Sequence, residues 1–189
     1  VSTEISDKNE LKKALESSAR IDEINYVSIV STKESYTHSN SRWDHKNQAY
    51  GSVNSIGKKV AVIDYGVKRN ILNELCSVGL ELEVYPHDVQ GEALIDKFNK
   101  GQIHGVFLSN GPGEPRMLVN EIAQIKKLIA ANIPMFGICL GHQLLSNAYG
   151  YETYKLKFGQ HGANHPVQNL ETKSIEITAQ NHNYNVPEN

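Results

Sequence analysis

Pro134-Met135-Phe136-Gly137-Ile138-Cys139-Leu140-Gly141-His142-Gln143 is the stretch that decides how this chain reads. A short apolar run passes through G-x-C-x-G and enters a helical pattern that extends to about residue 149. Small residues on both sides of a nucleophile let the backbone turn sharply and expose it, as in a strand-nucleophile-helix elbow. Two effects then converge on the sulfur. The unpaired N–H groups and dipole of a helix N-terminus favour the thiolate. The amide of Leu140 is placed to donate to a carbonyl under attack, which is half of an oxyanion hole. The bland alternative is a small residue filling a tight junction, and free cysteines are commonly buried. Cys76, mid-helix between Leu75 and Val78, fits that description and is assigned to the core. For Cys139 the flanking glycines favour a nucleophile.

Working outward, the same rhythm repeats upstream. Residues 60–65, 82–85 and 105–108 are apolar, strand-like runs; residues 68–78, 92–98 and 118–131 have helical spacing. Strands that are apolar throughout, alternating with amphipathic helices, predict an α/β fold: an open, mostly parallel sheet with helices on both faces. Ligands of such sheets bind at the carboxyl ends of the strands. That places two loops together, the elbow and Ser109-Asn110-Gly111-Pro112-Gly113-Glu114-Pro115. Glycines in the second loop allow close backbone approach, so the amide of Gly111 or Gly113 can supply a second oxyanion donor. The loop lacks the Lys and Ser/Thr that end a phosphate-cradling loop.

The flanks read differently. Asp7 or Ser6 is expected to cap a short helix carrying Leu11, Ala14 and Leu15, and the β-branched run 24–30 reads as a strand. Residues 31–56, rich in Ser, Asn, Thr and His, read as a linker or long surface loop, and a β-rich stretch of short segments is expected after Gly150. A net charge of -2 gives no electrostatic reason to expect nucleic acid or an anionic membrane as partner. Apolar runs are all shorter than the ~20 residues of a membrane span. Two cysteines make no disulfide framework, so a reducing, cytoplasmic setting is expected. Val1 and Asn189 read as the ends of a piece cut from a longer subunit.

Together, S-N-G-P-G-E-P and G-I-C-L-G-H-Q resemble the class I (triad-type) glutamine amidotransferases, whose fold is flavodoxin-like. Three further segments, 64–72, 157–167 and Gln180-Asn181-His182-Asn183-Tyr184, look like the small, glutaminase subunits of carbamoyl phosphate synthetases. The resemblance covers residues 58–189. Residues 1–57 look like the tail of such a subunit's N-terminal domain with its linker. It implies that Cys139 attacks the side-chain amide of L-glutamine and forms a γ-glutamyl thioester. The ammonia released passes to a large synthetase subunit, the implied partner, which makes carbamoyl phosphate for arginine and pyrimidine synthesis. No cofactor or metal is implied in this chain; ATP, Mg and bicarbonate belong to the large subunit. Residue by residue, Gly111 and Leu140 are implied as the oxyanion hole. Gly111, Gly113, Leu140, Gln143, Asn181, Asn183 and Tyr184 are implied as glutamine contacts.

The chain departs from that pattern in three places, one being that most of the family's N-terminal portion, which also reaches the glutamine pocket, is missing from these 189 residues. The family's base lies in a His-Pro-Glu segment beyond Gln-Asn-His, and these 189 residues contain none, so the chain alone is expected to be nearly inactive. Asn183 stands where the family usually has glycine; Asn tolerates left-handed backbone better than most residues. His142 is expected to pack or hydrogen-bond, and His38, His45, His87 and His104 to be surface or loop residues. His161, His165 and His182 match no zinc spacing. Three competing readings remain: the glutaminase of another pathway, a non-catalytic glutamine-binding module, and a flavodoxin-like cofactor module that leaves the elbow unexplained.

Overall fold

A computed structural model describes residues 2–21 and 23–187. The elements in chain order are α1 (Lys8–Ser17), α2 (Val27–Val30), β1 (Tyr36–His38), β2 (Asn40–Asp44) and β3 (Ala49–Ser52). The alternating core follows: β4 (Lys58–Asp64), α3 (Arg69–Ser77), β5 (Leu80–Pro86), α4 (Gly91–Asn99), β6 (Gly105–Leu108), a 3-10 turn (Pro115–Met117), α5 (Val119–Ala130), β7 (Met135–Gly137) and α6 (Leu140–Ala148). Two long strands, β8 (Tyr154–Gln168) and β9 (Ile175–Asn185), close the chain's described part.

The main sheet has five strands in the order β1-β5-β4-β6-β7. Strands β5, β4, β6 and β7 run parallel, and β1 adds an antiparallel edge through Tyr36↔Val84, Thr37↔Glu83 and His38↔Leu82. Successive residues of β4 serve opposite faces, as the pleat requires. Ala61 and Ile63 join Leu94, Ile125, Leu128 and Leu144 of α4, α5 and α6 on one face. Val62 joins Leu72 and Cys76 of α3, with Phe107, on the other. Burying each such aliphatic side chain contributes roughly 1.5–3 kcal/mol, which makes this two-faced layer the main source of stability.

The structure departs from the sequence reading at the flanks. Residues 27–30 form one helical turn instead of a strand: Asn25 Oδ1 accepts from the amide of Ser28 at 3.1 Å, and Val27 is buried in the core. Residues 31–56 are no linker, since they contain β1 and the β2–β3 hairpin, where Trp43 packs edge-on against Tyr50. The stretch after Gly150 is one long two-stranded antiparallel ribbon, not a set of short segments. Its register breaks between Lys155 and Gln160 and between Gly162 and His165, which bends the ribbon. Among the residues of β8 and β9, Tyr184 alone is buried, so the ribbon is anchored to the domain at that side chain.

Candidate active site

The elbow forms where β7 ends. Cys139 is the N-cap of α6 with φ 53° and ψ -113°, a strained conformation for a non-glycine residue. Close packing against β6 holds it there. The amide of Ile138 donates to the Leu108 carbonyl at 3.1 Å, and that of Gly141 to the Ser109 carbonyl at 3.0 Å. A Cβ on Gly141 would lie 2.2 Å from the Leu108 carbonyl oxygen, so glycine is what lets helix and strand approach this closely.

The second loop is fixed from three directions. Ser109 Oγ accepts from the amide of Tyr65 at 2.9 Å and donates to the Asn110 carbonyl at 2.8 Å. Asn110 in turn accepts from the Lys68 amide at 2.9 Å and donates to the Gly66 carbonyl at 3.2 Å. Gly111 rests directly on the Tyr65 carbonyl oxygen, which a Cβ would approach to 2.2 Å. The result is convergence: the amides of Leu140 and Gly111 both point at Cys139 Sγ, while Sγ faces the Asn181 carbonyl at 3.7 Å.

Electrostatically the thiol is not what the helix N-terminus alone predicts. Burial pushes Cys139 above its ordinary value, and the bonds from Leu140 and Gly111 only partly offset this. Desolvation thus outweighs the two amides, and the resting sulfur holds its proton more tightly than a free cysteine. Glu114, nearly buried beside the loop, shows the opposite balance. Its burial raises it, but the Arg116 guanidinium and amide, bonded to Oε1 at 2.9 and 3.2 Å, win and hold it below the usual carboxylate range.

A cavity of about 220 Å³ opens over the sulfur. The structure brings Gly111, Gly113, Cys139, Gln143, Asn181, Asn183 and Tyr184 into its wall, together with Pro112, His161 and His182. Leu140 contributes its amide, while its side chain is in the core. Gln143 Nε2 donates to the Tyr184 carbonyl at 2.8 Å. Asn183 lies within β9 and is not among the positive-φ residues, so this position makes no left-handed demand on the residue that replaces glycine. Larger grooves of about 870 and 690 Å³ sit elsewhere, the first beside Lys59 and His104 at the amino ends of the strands, and neither contains a cysteine.

The histidines sort differently from the sequence reading. His142 is exposed and makes no hydrogen bond among the described residues, so it neither packs nor bonds as expected. His38 is buried, 2.9 Å from Asn73 Oδ1, and His87 pairs with Glu121 at 2.7 Å; both are structural groups, not surface ones. His161 and His182 reach the cavity only because the ribbon folds over it, and nothing in their linear spacing signals that. Among the described residues, no group of three or more His, Cys, Asp or Glu is arranged to hold a metal, and no helix is long and apolar enough to cross a membrane.

The family model for class-I glutamine amidotransferases matches residues 61–189, the whole alternating core and the ribbon. This chain belongs to the class-I glutamine amidotransferase family. The carbamoyl phosphate synthase small chain of Campylobacter jejuni is 67% identical over 188 residues, covering 100% of this chain and 50% of the relative. That of Helicobacter hepaticus is 57% identical over 187 residues, covering 99% and 50%. The chain therefore spans about half the length of these relatives. Among solved structures, a glutamine amidotransferase from Thermotoga maritima superposes with TM-score 0.52 at 18% identity, covering 69% of this chain and 64% of that one. One from Methylobacillus flagellatus gives TM-score 0.52 at 18% identity, covering 70% and 59%. These two likenesses establish the shared fold.

Proposed function

We propose that this amidotransferase chain forms the glutamine-hydrolysing site of a carbamoyl phosphate synthase small chain, with Cys139 as nucleophile. The observation that carries the reading is that the Gly111 and Leu140 amides both act on Cys139 Sγ, favouring its thiolate, in the wall of a small cavity. Amides close enough to favour the thiolate are within reach of the oxygen of an amide carbonyl bound to that sulfur, where charge develops as the thioester forms. Gln143, Asn181, Asn183 and Tyr184 then surround the rest of the glutamine. The bond formed is Sγ to the side-chain carbonyl carbon, the bond broken is C–N, and water later returns the sulfur and leaves glutamate. Ammonia passes to a large synthetase subunit that consumes it with bicarbonate and ATP in making carbamoyl phosphate, the precursor of arginine and pyrimidines.

The thiol must lose a proton and the leaving nitrogen must gain one. Among the described residues Sγ bonds no histidine, and the His-Pro-Glu segment assigned as base by resemblance is not among the 189 residues. On this reading these residues bind glutamine and take an irreversible label, yet turn over slowly. The test is labelling with a glutamine-analogue diazo-ketone followed by peptide mapping. Saturable adduct on Cys139, competed by L-glutamine and absent in Cys139→Ala, is the expected result. A chain that binds glutamine while Cys139 stays unlabelled would overturn the nucleophile assignment.

A further inference from the structure

His161 was not among the residues expected at the site, yet it holds two that were. On the ribbon it stands opposite Asn181 in register. Its Nδ1 lies 2.8 Å from Asn181 Oδ1, and its Nε2 lies 3.2 Å from Asn183 Oδ1. The ring sits where a side chain at residue 159 would be: a Cβ on Gly159 would fall 2.2 Å from His161 Nε2 and 2.4 Å from Asn183 Oδ1. One imidazole thus spans two asparagines that both line the cavity above the sulfur.

An asparagine amide can present an acceptor oxygen or a donor nitrogen. Both ring nitrogens face an oxygen, so the ring serves both only as the doubly protonated imidazolium, donating from Nδ1 and Nε2 alike. So held, both Nδ2 groups remain without a protein partner among the described residues. A wall carrying two such donors favours a ligand rich in acceptors, and a carboxylate is acceptor-only.

We propose that His161 is a positioning residue that fixes the amide orientation of Asn181 and Asn183, so that this wall selects ligands bearing a carboxylate. The inference rests on the glutamine reading and deepens it: His161 separates glutamine from the same amide without its α-carboxylate. A freely turning asparagine offers either group and discriminates poorly, whereas a held one presents only the donor.

The test measures protection of Cys139 against iodoacetamide by L-glutamine and by 4-aminobutanamide, each variant normalised to its own unprotected rate. In the unaltered chain glutamine is expected to protect at concentrations about tenfold or more below those of 4-aminobutanamide, the scale of charge-assisted hydrogen bonding. His161→Ala should shrink that gap to about threefold or less, and His161→Gln, which keeps one donor, should fall between. An undiminished gap in His161→Ala overturns the proposal. The clamp is also judged without any ligand, by ¹⁵N NMR of the asparagine side-chain amides. The signals of Asn181 and Asn183 should both move in His161→Ala, and unmoved signals overturn the proposal. If neither compound protects Cys139 while those signals do move, the clamp stands and the glutamine reading, with the carboxylate selection built on it, fails.

Discussion

Gln143 Nε2 donates to the main-chain carbonyl of Tyr184 at 2.8 Å in a buried position, and so ties the nucleophile's helix to the ribbon that covers it. The bond joins α6 to β9, beside the contact of Cys139 Sγ with the Asn181 carbonyl. Gln143→Ala removes one of two side-chain donors to that carbonyl, His182 Nδ1 remaining 2.9 Å away, so the cost should be about 1 kcal/mol. Urea unfolding should show that loss, and amide exchange should rise selectively along β9. If exchange rises uniformly, or stability is unchanged, the bond is not what seats the ribbon.

Gly141→Ala is expected to be worse, although it adds a single methyl group. Its Cβ would meet the Leu108 carbonyl oxygen at 2.2 Å, which is backbone and cannot rotate away. Relief requires α6 to back off from β6, so the cost should lie at or above the upper end of the ~1–3 kcal/mol typical of overpacking. The same displacement carries Cys139 and the Leu140 amide with it, so labelling of Cys139 by the diazo-ketone should slow in the folded variant. Normal labelling and a normal urea midpoint would show that the elbow tolerates looser packing than this geometry implies.

How legible these features were differed by element, for physical reasons. The runs 60–65 and 105–108 announced themselves because strands buried on both faces need apolar residues at every position, and G-I-C-L-G because a tight elbow leaves room only for glycine. Residues 36–38 were unreadable: Tyr-Thr-His has no periodicity, and it becomes a strand by pairing with Leu82, Glu83 and Val84. Residues 27–30 misled, since β-branched propensity lost to a local side-chain cap at Asn25 and the burial of Val27. The Cys139, Gly111 and Gln143 part of the cavity was visible in motifs. His161 was not, because its place depends on the register of a bulged ribbon, and register is a property of two strands at once.

Burial pushes the Cys139 thiol above its ordinary value of 9.0, with the Leu140 and Gly111 amides pulling weakly the other way. A raised value favours the neutral thiol, so the thiolate fraction at neutral pH is smaller than for a free cysteine. The iodoacetamide rate should therefore keep climbing with pH past 9.0, with no plateau below it. Cys76, buried in α3 and likewise raised by desolvation, should stay unmodified while the protein is folded. A plateau at lower pH would mean that the amides outweigh burial and the sulfur rests as thiolate.

Asp64 makes the N-terminal region part of the domain. Oδ1 accepts from the amides of Gly66 and Val67 at 2.8 and 2.7 Å, and Oδ2 from the amide of Thr32 at 2.8 Å. Asp64→Ala strands three part-buried donors and should cost roughly 2–3 kcal/mol, less than their full sum because water reaches some of them. Limited proteolysis should then open cleavage sites near Thr32 before the core unfolds. Equal protease resistance in the variant would show that β1, not Asp64, is the main attachment.

Glu114 is the group expected to make the site acid-sensitive. Burial raises its carboxyl, but the bonds from the Arg116 guanidinium and amide overcome that and hold it below the usual range. A group whose folded value is depressed contributes stability above its unfolded value and loses it as pH falls through the folded one. The contribution is thus complete at neutral pH and fades on the acid side of the ordinary glutamate range. Glu114 follows Gly113 in the oxyanion loop and faces Tyr184, the ribbon's anchor, so protonation should loosen both walls of the cavity together. Glu114→Gln removes the titrating group while keeping its shape. Its stability should be lower than that of the unaltered chain at neutral pH, and the two curves should converge as the pH drops below 4.5. Parallel curves across that range would mean that the depressed carboxyl is not coupled to folding, and acid loosening of the ribbon would then need another group.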